Sequence, residues 1–140
     1  MSNESAIIKS HSKSDVLIGL SGGPDSTVVA HLLRKQRLPL VGLGIAFLDD
    51  KYLSYFSDEF AASRSFANLE RMKLFCESID IPFYAVDASQ EYFDRVFGPL
   101  LTARLSGQKF LWRMEESVLL MEILVAKAAK LIISQIATGH

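Results

Sequence analysis

One segment of the chain is dense in groups that bind phosphate. Ser21-Gly22-Gly23-Pro24-Asp25-Ser26 follows the apolar run Val16–Leu20 and precedes a helical pattern. The glycines let the backbone turn sharply with no Cβ in the way. The N–H groups of the turn and the unpaired ones of the first helical turn then point at one spot, and the positive end of the helix dipole favours an anion there. Ser21, Ser26 and Thr27 add hydroxyls. No lysine follows the glycines, so this is not a Walker A loop, and the spacing is not GxGxxG. A Walker lysine reaches the outer phosphates, whereas a turn without one suits clamping a pyrophosphate while chemistry proceeds at the α-phosphorus. Asp25 would repel a phosphate directly. It makes sense capping backbone amides or facing the Mg²⁺ that accompanies a nucleotide. Gly-Gly alone is equally a strain-free strand-to-helix turn; the full string SGGPDST argues for the ligand.

Other reactive groups are sparse. Asp49-Asp50 closes a second apolar run and either positions a Mg²⁺-bound nucleotide or caps the next segment. Cys76, the only cysteine, rules out an internal disulfide or a multi-cysteine zinc site and suits a reducing cytoplasm. It sits on an apolar helical stripe and reads as a small core residue, since a reactive thiolate needs a cationic, exposed setting. His11 is expected in a solvated arm, His31 at the surface or packed beside an apolar stripe, and His140 at the chain end. No His/Cys/Asp/Glu set has metal-ligand spacing, so no metal site is expected. Phe110-Leu111-Trp112-Arg113-Met114 could stack bases, or pack against the domain or a partner chain.

The elements that position these groups alternate. Residues 1–14 form a polar arm. Val16–Leu20 suits a buried parallel strand. Pro24 fits the first position of a helix with the stripe Val28, Val29, Leu32 and Leu33, ending near Gln36-Arg37. Leu40–Leu48 is a second strand. A long helix is expected over about Ser57–Ile79, capped by Ser57 or Asp58, with the stripe Ala62, Phe66, Leu69, Met72 or Lys73, Cys76 and Ile79. Ile81–Val86 begins a third strand; Gln90–Arg104 is helical, bent at Gly98-Pro99. Ser106–Arg113 is irregular, Glu115–Ala129 a fourth helix and Leu131–Ala137 a fourth strand. This order predicts an α/β domain over residues 15–140, with a parallel sheet of four or five strands and helices on both faces. The chain stops directly after a strand, where such folds place ligand loops, and so reads as shortened.

At 140 residues and 49% hydrophobic content the chain can bury one core. A net charge of −1 gives no global basic field for nucleic acid. The N-terminus has no apolar core of a secretory signal, and Val118–Ala137 is interrupted by Glu122, Lys127, Lys130 and Gln135, so no membrane span is expected.

Ser21–Ser26 matches the SGGxDS signature of PP-loop ATPases, a Rossmann-like fold. Within that superfamily the chain from about Asp15 resembles the N-terminal domain of the tRNA-specific 2-thiouridylases. The likeness is carried by Val41-Gly42-Leu43 through Asp49-Asp50, by Asn68-Leu69-Glu70 through Ile81-Pro82-Phe83-Tyr84, by Glu91-Tyr92-Phe93-Asp94-Arg95-Val96-Phe97, and by Ala137-Thr138-Gly139-His140. The resemblance implies that Gly19, Leu20, Ser21, Gly22, Gly23, Pro24, Asp25 and Ser26 hold ATP phosphates. It further implies that Ile45 meets adenine and that Gly139 borders the nucleotide, with Thr138 in reach. In that family ATP adenylates the C2 oxygen of a wobble uridine in tRNA, and a cysteine then delivers persulfide sulfur. The family's nucleophilic cysteine falls around Phe110–Glu116, and here that stretch contains none. The resemblance therefore implies ATP, Mg²⁺ and tRNA as ligands and a cytoplasmic setting; a partner chain carrying the sulfur-relay cysteines, or a homodimer, is also open. Two alternatives stand beside it: a cysteine-independent adenylating enzyme of lysidine-synthetase type, and a nucleotide-binding module without catalysis.

Overall fold

In the computed structural model, which describes residues 11–12 and 15–139, four parallel strands form one sheet in the order β3-β2-β1-β4. β1 is Val16–Leu20, β2 Leu40–Ala46, β3 Phe83–Asp87 and β4 Gln135–Ala137. Val16 lies opposite Leu40 on one side and Gln135 on the other, and Gly42 lies opposite Phe83. The α/β class and the parallel sheet are as expected. Most of the expected arm over residues 1–14, and His140, lie outside the described residues.

Alternate residues of the central strands feed two cores. Val16, Ile18 and Leu20 pack with Ala30 of α1 (Pro24–Lys35) and with Met72 and Cys76 of α3 (Phe66–Ser78). Leu17, Val41, Leu43 and Ile45 face α6 (Trp112–Lys130) through Leu119, Leu124 and Ala128. That two-sided burial is why the strands read as continuous apolar runs. Gly42 and Gly44 bring α3 close to β2: a Cβ at residue 42 would lie 2.6 Å from Cys76 Sγ, and one at residue 44 would lie 2.8 Å from Met72 Sδ.

The structure corrects several expectations. The helix expected over Ser57–Ile79 is two, α2 (Asp58–Ala62) and α3, because residues between them serve the sheet. Phe47 N and Leu48 N both donate to Arg64 O at 2.9 Å, and Leu48 bridges Ser65 in parallel fashion. A carbonyl used this way cannot continue a helical ladder. Ser57 caps α2 as expected, accepting from Phe60 N. On α1, Val29 and Leu33 face the core, whereas Val28 and Leu32 are more than half exposed. The bend at Gly98 is a π turn over Phe93–Phe97, joining α4 (Ser89–Tyr92) to α5 (Gly98–Leu105). A Cβ at Gly98 would crowd Phe93 O at 2.9 Å. α6 begins at Trp112, inside the stretch expected to be irregular, and β4 is shorter than Leu131–Ala137.

His11 is not solvated. Its side chain is 4% exposed, with Nε2 2.8 Å from the Tyr84 hydroxyl and Nδ1 3.4 Å from Asp15 Oδ2.

Candidate functional site

The turn after β1 is a dense knot of hydrogen bonds between residues close in sequence. Ser21 N donates to Ser26 Oγ at 3.2 Å, and Gly23 N donates to Ser21 Oγ at 3.3 Å. The Ser21 and Ser26 hydroxyls lie 3.2 Å apart, and Ser26 and Thr27 donate to Gly23 O at 3.3 and 2.9 Å. Gly22 takes φ +77°, a conformation that only glycine adopts without strain. Gly23 stands at the N-cap of α1, Pro24 follows it, and no side chain caps the helix. The first-turn amides of α1 are therefore not claimed by a capping side chain, which is the arrangement that accepts an anion.

A cavity of about 470 Å³ opens in front of this turn, within the range of small-molecule sites. Gly19, Leu20, Ser21, Asp25 and Ser26 form one wall, with Ile45 and Gly139 beside them. Of the residues expected at the site, Gly22, Gly23 and Pro24 lie behind the lining. Gly139 packs on the start of α1, where a Cβ would sit 2.8 Å from Ser26 N. Asp25 is exposed and faces the cavity. Phe47 adds an apolar patch next to Ile45, and Thr138 joins Gly139.

A second wall carries residues that sequence reasoning did not assign to the nucleotide site. Ser63 and Arg64 come from the break between α2 and α3, and Glu116, Ser117, Leu120 and Leu124 from α6. Arg64 grips Glu116 with both prongs, Nε to Oε2 at 2.8 Å and Nη2 to Oε1 at 2.7 Å. The Tyr92 hydroxyl donates to the same carboxylate at 2.7 Å. The Arg64 guanidinium also lies over the Phe60 ring at 3.8 Å. Burial acts to lower the pKa of Arg64, but its bonds to Glu116 and that charge outweigh it, so the cation is held. Burial and then the Glu116 charge push the Tyr92 phenol up, so it remains a donor. The signals for this cluster were Tyr92, inside the segment Glu91–Phe97, and Glu116, at the end of the stretch Phe110–Glu116. The segment Glu91–Phe97 proves to be architecture: Phe93 and Phe97 pack with Tyr52, and Arg95 pairs with Glu115 and Glu122 of α6.

The remaining candidates fall away from the cavity. Asp49 caps the following turn, accepting from Lys51 N at 3.1 Å. Cys76 is fully buried, and burial pushes its thiol up to about 12. Trp112 packs beside Phe60, while Leu111 and Met114 are exposed. His31 rests edge-on against Phe75. Among the described residues no group of three His, Cys, Asp or Glu could hold a metal ion, and no helix is long and apolar enough to cross a membrane.

Comparison with known proteins adds the following. The family described as tRNA methyl transferase HUP domain matches residues 14–140. The tRNA-specific 2-thiouridylase MnmA of Streptococcus thermophilus is 35% identical over 98 residues, 70% of this chain and 25% of that protein. That of Alkaliphilus oremlandii is 38% identical over 93 residues, 66% of this chain and 24% of the relative. The chain thus spans about a quarter of the length of the curated relatives it matches. Among solved structures, NH3-dependent NAD synthetase from Campylobacter jejuni superposes with a TM-score of 0.50 at 21% identity, covering 89% of this chain and 46% of that one. NMN synthetase from Francisella tularensis gives 0.50 at 20% identity, with 91% and 45% coverage. These two likenesses speak for the fold alone.

Proposed function

The chain belongs to the tRNA methyl transferase HUP domain family, and on that premise we propose that it is the ATP-binding, adenylating part of a tRNA 2-thiouridylase-like protein. The observation that carries the reading is the Ser21–Ser26 turn, with its uncapped helix start, opening onto a cavity of nucleotide size. Ser21, Ser26 and the amides of the turn would hold the phosphates, with Gly19 and Leu20 at their base. Gly22, Gly23 and Pro24 shape the turn from behind. Ile45 and Phe47 offer an apolar seat for adenine, and Gly139 lets the end of β4 approach α1. Mg²⁺ would arrive with the nucleotide and meet Asp25, since the described residues offer no three-ligand site of their own. Bound ATP supplies an electrophilic α-phosphorus. The uridine C2 oxygen bonds to it, the bond to the β-phosphate oxygen breaks, and pyrophosphate leaves. The sulfur donor is a thiol other than Cys76, which is buried and held neutral. It would come from outside these 140 residues, in the cytoplasm where tRNA is modified.

A second reading is binding without catalysis. It draws on Glu116, which lies in the stretch where the family's nucleophile falls and is held there by Arg64. One assay separates the two. ATP–pyrophosphate exchange, with and without tRNA, is expected to show exchange for an adenylating enzyme and none for a binding module. Calorimetry with ATP and AMP tests the shared premise. Ser21→Ala should weaken ATP, and Asp25→Ala should do so in the presence of Mg²⁺. No heat from either nucleotide at ~1 mM would end both readings.

A further inference from the structure

Asn68 stands in the first turn of α3, is 1% exposed, and lies outside the cavity lining. Its neighbours on that helix face, Leu69 and Met72, belong to the apolar core. A buried amide there is costly unless each of its groups is bonded. Its Nδ2 donates to Ser21 O at 2.8 Å and to Ser63 O at 3.1 Å, and its Oδ1 accepts from Arg71 Nη2 at 2.8 Å. Two carbonyls on one end and a guanidinium on the other permit a single orientation of the amide. Gly22 rests against the same group, for a Cβ there would lie 2.3 Å from Asn68 Oδ1.

Ser21 of the turn and Ser63 of the break between α2 and α3 both line the cavity, and the two linings meet where their carbonyls share the Asn68 amide. One side chain therefore ties the phosphate-facing turn to the break between α2 and α3. We infer that Asn68 is a positioning residue: it sets the spacing of the two walls at the phosphate end of the cavity and so determines preference for a polyphosphate over a monophosphate. It acts through Ser21, whose hydroxyl meets Ser26 and Gly23 N. The inference rests on the nucleotide reading given above and adds to it a residue that never touches the ligand.

The test is calorimetry of ATP and AMP binding to the chain and to Asn68→Asp. The carboxylate keeps the size and the Arg71 bond, loses both donors, and faces two carbonyl oxygens. ATP affinity is expected to fall by about tenfold or more, and AMP affinity by less than about threefold. In the absence of nucleotide, hydrogen exchange at Ser21 N and Gly23 N should quicken while β2 amides hold. A general loss of packing would weaken both nucleotides alike, and that outcome overturns the inference, as does unchanged ATP affinity. If Asn68→Asp does not fold, Arg71→Met decides instead. It frees the amide from its orienting partner and should cost ATP about two- to threefold with AMP unchanged; no ATP-selective loss overturns the proposal. An unsubstituted chain that binds neither nucleotide refutes the site itself, an outcome separate from a variant that binds as well as its parent.

Discussion

The two walls of the cavity are built on different principles. The turn wall is neutral apart from Asp25 and works through backbone, hydroxyls and glycine; the bonds within it join residues at most five apart, and Asn68 braces it from behind. The α6 wall works through charge, and its bonds join Arg64 to Glu116 across 52 positions and Tyr92 to Glu116 across 24. A wall made of local backbone conformation depends on residues that nothing else can replace. A wall made of distant ion pairs is exchangeable in principle, because its parts satisfy one another more than they shape the chain.

The sharpest way to break that contrast is Gly22→Ala. Positive φ costs a residue with a Cβ about 1–2 kcal/mol, and the new atom would meet Asn68. Chemical denaturation should show a loss of about 2–4 kcal/mol, with ATP binding abolished before the fold is. A variant as stable as its parent would mean that the turn tolerates another conformation, and the first wall would lose its special status.

The α6 wall should break more mildly and be repairable. Glu116→Ala leaves the Arg64 cation and the Tyr92 hydroxyl without their acceptor, at a cost of about 1–3 kcal/mol given that both Arg64 and Glu116 side chains are 18% exposed. Replacing all three together, Arg64→Met, Tyr92→Phe and Glu116→Leu, should bring stability back to within about 1 kcal/mol of the parent. If the triple variant is no better than Glu116→Ala, the network contributes more than mutual satisfaction. Nothing comparable should rescue Gly22→Ala.

The same contrast explains what the sequence disclosed. The turn could be read because Gly22, Gly23 and Pro24 are dictated by backbone geometry at fixed offsets. The strands could be read because burial on both faces leaves unbroken apolar runs. The break at residues 63–65 could not. The apolar spacing of a helix continues through it, and only the capture of the Arg64 carbonyl by Phe47 and Leu48 interrupts the ladder. Arg64 was invisible for the same reason, its pairing with Glu116 across 52 positions left no local pattern, and Asn68 looked like one more residue of a family-like helix. Val28 and Leu32 show the reverse error: apolar spacing suggested burial where α1 leaves that edge uncovered.

Cys76 extends the comparison to the only thiol in the chain. Its pKa rises from the ordinary range of about 8.5 to about 12, chiefly because burial disfavours the thiolate. Below the unfolded pKa both states hold the proton and stability is unaffected. Above it the unfolded chain loses its proton while the folded chain keeps it, so stability falls as pH rises from about 9 toward 12. About 2 kcal/mol should disappear by pH 10, and Cys76→Ala should flatten that decline. Equal slopes would place the alkaline loss elsewhere, in the Tyr92 phenol for instance. Rapid labelling by a thiol reagent at pH 7 would contradict the buried, neutral assignment and return Cys76 to candidacy for sulfur chemistry.

The smallest expected effect is also the one with an unusual sign. Among the described residues Arg64 is the sole cationic side chain lining the cavity, and Glu116 both occupies it and adds a negative charge to that lining. Glu116→Gln keeps the shape, and its amide oxygen still accepts one bond from Arg64 or Tyr92. The charge is removed, so the guanidinium no longer has its full counter-ion. ATP, as an anion, should then bind about threefold tighter, and the gain should shrink with added salt as a Coulombic effect must. AMP, with fewer charges, should gain less. Weaker ATP binding would show instead that the Arg64–Glu116 pair supports the nucleotide as a unit. The α6 wall would then be as indispensable to the ligand as the turn.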